Sequence, residues 1–162
     1  MSNFYTIILF KTRPQILYID IDNVLVDFES GLEKIDEETL KKYEGCYDEI
    51  PGVFALMKPM EGAVEAAHQL AEKYDVYVLS TSPWLNPSAW SDKLKWIQCY
   101  FGKDPNSIFY KRLILSSHKN LNMGAILIDD RLKNGTDKFQ GRHIHFGTEK
   151  FPDWKSVLQE LM

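Results

Sequence analysis

Residues 15–22 read Gln15-Ile-Leu-Tyr-Ile-Asp20-Ile-Asp22, an apolar run that closes on two acids. Large apolar side chains in succession, without polar alternation, suit a short strand buried on both faces. The same pattern recurs at Asp75-Val-Tyr-Val-Leu-Ser80. It returns in weaker form at Arg112-Leu-Ile-Leu-Ser116, Ala125-Ile-Leu-Ile-Asp129 and Arg142-His-Ile-His-Phe146. Helical stripes lie between these runs. Gly62 to Tyr74 spaces Val64, Ala67, Leu70 and Ala71 along one face, and Ser88 to Phe101 does the same with Trp90, Leu94, Ile97 and Phe101. Asp153 to Met162 reads as a closing helix behind Pro152. Strands that alternate with helices predict an α/β fold, a parallel central sheet between helical layers. Ligands in such sheets sit at the carboxyl ends of the strands, near the switch in strand order. Three of the runs end there in polar groups: Asp20-Ile-Asp22, Ser80-Thr81-Ser82 and Asp129-Asp130.

Residues 27–60 differ in character. The charged stretch Glu29 to Glu44 and then Gly45-Cys-Tyr-Asp-Glu-Ile-Pro51-Gly52 follow the first strand directly. Pro51-Gly52 and Lys58-Pro59 mark breaks. The expected organisation is a core domain of residues 1–26 and 61–162, with residues 27–60 as a small helical cap over the strand edge.

The totals narrow the function. The 162 residues fit one domain, and 44% hydrophobic with 13% aromatic residues supply a core. A net charge of -4 with no basic run argues against a nucleic-acid polymer as partner. A small anionic substrate remains compatible, because a bound cation reverses the local field. Cys46 and Cys99 have neither metal-site spacing nor disulfide density, and no signal peptide is visible. A cytoplasmic protein with reduced thiols is expected. The apolar stretch Phe4 to Phe10 lacks a basic flank and a cleavage site, and nothing approaches a membrane span. It is read as an extra strand or an ordered arm.

Asp20 and Asp22, two apart on a strand, point to the same side. Two close carboxylates repel unless a cation or a shared proton relieves them. A hard divalent ion such as Mg²⁺ does so through oxygen ligands and also favours phosphate. Asp129 and Asp130 offer more carboxylate oxygens at another strand end. Either pair alone is also what turn or capping aspartates look like; both at strand ends point to an ion. Thr81 taken alone reads as a helix N-cap, and a lone lysine as a surface charge.

Four pieces stand in order: Asp20-Ile-Asp-Asn-Val24, Leu79-Ser-Thr-Ser-Pro83, Ser116-Ser-His-Lys119 and Ile128-Asp-Asp-Arg131. Together they resemble the haloacid dehalogenase (HAD) superfamily of phosphatases. The resemblance is closer to its 5′(3′)-deoxyribonucleotidase family, through Val24-Leu-Val-Asp-Phe28, Pro59-Met-Glu-Gly-Ala-Val-Glu65, Tyr100-Phe-Gly102 and Asp153-Trp-Lys155. It implies a Rossmann-like three-layer α/β/α core with the cap inserted after the first core strand. It also implies a Mg²⁺-dependent phosphomonoesterase acting on nucleoside monophosphates. Asp20 would be nucleophile and metal ligand. Asp22 would be proton donor, later activating water, and bind the metal through its backbone carbonyl. Thr81 would hydrogen-bond the phosphoryl group, Asp129 would complete the metal shell and Lys119 would stabilise the charge on Asp20 and phosphate. Lys93 matches a second phosphate-side lysine, with Ser82 beside Thr81, and Asp130 is expected to orient the ligands. Phe28 matches a base-stacking position; Tyr47, Phe54 and Trp84 are aromatic candidates by location. The sequence departs from the family in Asn23, where glycine is usual, and in a shorter cap.

Other readings keep part of this pattern. A phosphosugar or other small phosphomonoester would suit the short cap. A receiver-like phospho-acceptor domain uses similar groups, but it orders them differently and lacks an acid at the position of Asp22. A nucleotide-binding protein without turnover would not need the intact set Asp20, Asp22, Thr81, Lys119 and Asp129.

Overall fold

The computed structural model describes residues 13–162; the stretch from Phe4 to Phe10 lies outside them. Strand β1 (Ile16–Ile19) occupies the centre of a five-stranded sheet. Its neighbours are β4 (Asp75–Ser80) and β6 (Ile126–Asp129), with β5 (Leu113–Leu115) and β7 (Arg142–His145) at the edges. Every pairing in this sheet is parallel. Leu17 and Ile19 of β1 are fully buried, as an uninterrupted apolar run requires. Ile19 registers with Val78 on one side and Ile128 on the other, so Asp20, Thr81 and Asp129 emerge along one edge.

The helices follow the apolar stripes. Helix α3 (Ala63–Lys73), α4 (Pro87–Phe101) and α5 (Trp154–Leu161) share the larger core with Leu17, Ile19, Val76, Val78, Ile126 and Ile128. Helix α4 starts with proline in its first turn, where the missing N–H costs nothing. Helix α5 begins in a capping box between Asp153 and Ser156, and Trp154 Nε1 donates to Val24 O at 2.9 Å. Tyr18, Leu79, Leu127 and Phe139 form a smaller cluster apart from that core. The connections following β5 and β6 contain only short 3-10 turns, at Lys119–Leu121 and Thr136–Lys138.

After β1 the chain leaves through β2 (Val26–Asp27) and returns through β3 (Lys58–Pro59), which pairs with it antiparallel. Between them lie α1 (Glu29–Leu32), α2 (Glu37–Lys42) and 3-10 turns at Tyr47–Glu49 and Val53–Ala55. Helix α2 buries none of its residues; its N-cap Asp36 accepts from Thr39 N at 2.8 Å. The later part of the excursion buries Ile50, Val53, Phe54 and Met57 within the main core. Gly31 allows Met57 to lie against α1, since a Cβ there would stand 2.8 Å from Met57 Cγ. Helix α4 holds the excursion through polar bonds to its backbone. Asn86 Nδ2 donates to Asp48 O (2.9 Å) and Ile50 O (3.0 Å), Ser88 Oγ accepts from Gly52 N (2.8 Å), and Trp96 Nε1 donates to Met57 O (3.0 Å).

Among the described residues no helix is long and apolar enough to cross a membrane. Cys46 and Cys99 are both free.

Candidate active site

The carboxyl edge of β1, β4 and β6 gathers charged side chains that are rarely buried unless paired. Asp20, Lys119 and Asp129 are 5%, 3% and 1% exposed. Lys119 makes a short hydrogen bond to Asp129 Oδ2 and an ion pair, 3.1 Å long, with Asp20 Oδ1. Burial alone would push the Lys119 ammonium down, but Asp20 and Asp129 together hold it above its ordinary range. Asp129 is also fixed by Thr136 Oγ1, which donates to Oδ2 at 3.0 Å, and by Arg131 N, which donates to Oδ1 at 2.9 Å.

Asp22 faces the same space from the mouth, its side chain 22% exposed. Lys93, fully buried on α4, donates to Asp22 Oδ2 (2.7 Å), Thr81 O (2.7 Å) and Ser80 Oγ (3.1 Å). Its ammonium also lies 4.6 Å from the centre of the Phe54 ring. Loss of solvent pushes the Asp22 carboxyl up to about 6; Lys93 pulls it down and the charge of Asp20 pushes it further up. A carboxyl there can carry a proton close to neutrality. Asn23, the residue in place of glycine, adopts the left-handed region at φ 56° and donates from Nδ2 to Asp130 Oδ2 at 3.2 Å. Burial, followed by the Asp20 charge, raises the Asp130 carboxyl.

Asp20, Asp129 and Asp130 each present an oxygen within 4.8 Å of the others. Asp130 Oδ1 is buried with no hydrogen-bond partner among the described residues, and Asp20 Oδ1 has only its ion pair with Lys119. An orphaned buried carboxylate oxygen is costly, and three acids gathered this closely with one such oxygen among them fit a hard divalent cation. The donor set is oxygen only, which suits Mg²⁺ over softer metals. The space enclosed by Asp20, Asp22, Thr81, Lys119 and the Asp129–Asn134 turn is about 30 Å³. That is room for an ion or a water, which needs about 10–15 Å³ on the same measure.

Two wider clefts open from it. One, of about 270 Å³, is lined by Asp22, Phe28, Gly45, Tyr47, Asp48 and Arg131. The other, of about 300 Å³, runs from Asp22 and Thr81 past Ser82, Pro83 and Trp84 to Ser117 and Asn134. The structure thus gathers the sequence candidates Asp20, Asp22, Thr81, Lys119, Asp129 and Asp130 around one point. Phe28, Tyr47, Ser82 and Trp84 stand on the flanking walls. Phe54 is buried beneath Phe28, the rings edge-to-face at 5.9 Å. Trp84 is 86% exposed. Ser82 is buried, its Oγ without a hydrogen-bond partner among the described residues. Lys93 spends its donors on Asp22, Ser80 and the Thr81 carbonyl, and Thr81 Oγ1 donates to Ser116 O at 2.8 Å. Lys111 and Arg112 lie before β5, Arg112 pairing with Asp75 at the start of β4. His118 precedes the turn that carries Lys119.

Asp48, Arg131, Asn134 and Thr136 are site residues that sequence reasoning missed. Arg131 stood within the quoted Asp129-Asp130-Arg131 run; the other three carry no local signal.

The family model described as 5′ nucleotidase, deoxy (Pyrimidine), cytosolic type C protein matches residues 32–154. A protein of Vibrio phage KVP40 named "Putative 5′(3′)-deoxyribonucleotidase" is 56% identical over 151 residues, 93% of this chain and 86% of that one. The cytosolic-type 5′(3′)-deoxyribonucleotidase of Homo sapiens is 27% identical, covering 86% of this chain and 77% of its own length. The 5′(3′)-deoxyribonucleotidase of Bacillus subtilis (strain 168) is 28% identical over 82% of this chain and 84% of its own. Among solved structures, the magnesium-bound "putative HAD-hydrolase YfnB" of Bacillus subtilis superposes with a TM-score of 0.57 at 12% identity. That match covers 92% of this chain and 99% of that one, and is a likeness of fold.

Proposed function

Because the chain belongs to the 5′(3′)-deoxyribonucleotidase family of HAD-type hydrolases, we propose that it hydrolyses deoxynucleoside monophosphates through a phospho-aspartate on Asp20. The observation that carries this reading is the buried set Asp20, Lys119 and Asp129, with Asp22 at its mouth.

In the first half-reaction an Asp20 carboxylate oxygen bonds to phosphorus as the P–O bond to the nucleoside breaks. The departing oxygen takes a proton from Asp22, and the alcohol leaves. In the second, Asp22 accepts a proton from water as its oxygen bonds to phosphorus; the acyl-phosphate bond breaks and frees Asp20 and inorganic phosphate. Lys119, 3.1 Å from Asp20 Oδ1, offsets the charge of Asp20 throughout. Lys93 fixes Asp22 facing the leaving group. Asp20 and Asp129, with Asp130 beside them, would hold Mg²⁺, which supplies charge neutralisation for the phosphoryl oxygens when bound. The backbone carbonyl of Asp22 is the further ligand that the family resemblance suggests.

The small polar chamber is too narrow for the organic part of a nucleotide, so that part belongs in the flanking clefts. There Phe28 offers a ring face to a base, and residues 27–60 act as the cap that excludes water. The deciding measurement is phosphate release from deoxy- and ribonucleoside monophosphates, sugar phosphates and an aryl phosphate, with Mg²⁺ or with EDTA. Metal-dependent release that favours deoxynucleotides is expected. Release from sugar and aryl phosphates alone would keep the Asp20 chemistry and reject the nucleotide assignment.

A further inference from the structure

Successive residues of a strand point to opposite faces, yet Asp129, the last residue of β6, and Asp130 both offer an oxygen to the group around Asp20. The chain bends out of the strand at Asp130, directly after β6. Arg131 N closes part of that turn on Asp129 Oδ1. The rest is held from the neighbouring edge strand. On β7, His143 and His145 stand two apart, and their rings stack at 5.2 Å and 28°. His143 Nε2 lies 3.0 Å from Asp129 O, and His145 Nε2 lies 2.9 Å from Asp130 O. A carbonyl oxygen only accepts, so both imidazoles carry their proton on Nε2. Phe146 N gives Asp129 O a second donor at 3.0 Å, and Thr148 Oγ1 ties down His145 O at 2.7 Å.

We infer that His143 and His145 are positioning residues, a stacked pair of hydrogen-bond donors that turns the Asp129 and Asp130 carboxylates toward Asp20 and so sets the affinity for the divalent cation. Neither ring touches the reacting atoms; both act through the carbonyls they hold. This rests on the metal-dependent reading above. It extends that reading to edge-strand residues that line neither the central chamber nor its clefts. Partners that orient metal ligands from behind typically change affinity about 10–100-fold when removed.

The test titrates Mn²⁺ into the apoprotein and follows the free-ion EPR signal, alongside urea unfolding and circular dichroism. Wild type is compared with H143Q/H145Q, which keeps a donor at each place but no ring, and with H143L/H145L, which keeps bulk but no donor. The leucine pair is expected to weaken Mn²⁺ binding about ten-fold or more, while the glutamine pair stays close to wild type. A folded leucine pair with wild-type affinity overturns the inference. So does a glutamine pair as weak as the leucine pair, because ring packing would then be the cause. Should the leucine pair not fold, the glutamine pair decides alone: retained affinity supports donation and a ten-fold loss rejects it. Wild type that binds no Mn²⁺ removes the metal reading and this inference with it. Wild type that binds Mn²⁺ and hydrolyses nucleotide, with both pairs unaltered, removes only the inference.

Discussion

The carboxyl edge of the sheet and the excursion between β2 and β3 are adjacent, yet they are held by different means. At the edge, Asp20 and Asp129 are buried acids at the ends of strands paired on both sides, joined by Lys119 from the turn after β5, and Asp129 is restrained by Thr136 and Arg131 as well. The excursion consists of short helices and turns, and one of its helices buries nothing. It gains its place from a few apolar side chains sunk in the core and from the polar bonds of α4. Under the proposed function, chemistry that tolerates little displacement would sit on the more restrained side. Contacts to the variable part of a substrate would sit on the side that can shift at low cost.

If that division holds, substitutions at the edge should affect turnover and those on the excursion should affect binding. Asp20→Asn is expected to lower phosphate release on the order of 10⁴-fold or more, the scale of losing a covalent nucleophile. Lys119 keeps Asp129 as a partner in that variant, so its circular dichroism should match wild type. Activity within ten-fold of wild type would place the nucleophile elsewhere. Asp22→Asn is expected to cost about 10²–10⁴-fold on nucleotides, the worth of a proton donor. The loss should be much smaller on an aryl phosphate, whose leaving group needs no proton; equal losses would deny Asp22 that role.

Lys119→Met sharpens the comparison from the side of stability. It leaves Asp20 and Asp129 buried without their cation, and breaking such a cluster costs about 3–5 kcal/mol. Urea unfolding should show that loss, and an unchanged midpoint would mean the cluster carries no net restraint. Phe28→Ala, on the excursion side, should instead raise KM for nucleotides about ten-fold through lost stacking, with kcat nearly kept. Equal KM changes for nucleotides and an aryl phosphate would make Phe28 a packing residue over Phe54.

The two regions also differed in how far the sequence disclosed them. Apolar runs that end in acids are a local signal, so Asp20, Ser80 and Asp129 were legible as strand ends, as was the direction in which they face. Helix α3 and helix α4 followed from their stripes to within a residue or so. The pairing of β2 with β3, two residues each, has no such signal, because it exists only once the excursion closes. Lys93 was expected on the phosphate side only through the family resemblance, since a lone lysine reads as a surface charge. That its ammonium is wholly spent on Asp22, Thr81 and Ser80 depends on how α4 packs across the sheet. Thr136, His143 and His145 support Asp129 and Asp130 from residues distant in the chain, and nothing in their neighbours marks them.

Asn86 is where the two regions meet. It is 1% exposed, stands just before α4, and gives both amide hydrogens to the excursion, at Asp48 O and Ile50 O. Its own Oδ1 accepts from Ser88 Oγ at 2.7 Å, and Ser88 Oγ in turn receives Gly52 N. Asn86→Ala would leave two carbonyls short of a donor and free Ser88 to turn away, at a cost of about 1–3 kcal/mol. Because Asp48 lines both clefts, the loosening should reach substrate binding before it reaches chemistry. The expected result is a raised KM for nucleotides, an aryl-phosphate kcat close to wild type, and faster amide hydrogen exchange confined to residues 45–56. A fall in kcat for both substrates with unchanged KM would mean that the excursion positions the reacting groups themselves, and the division between the regions would not stand.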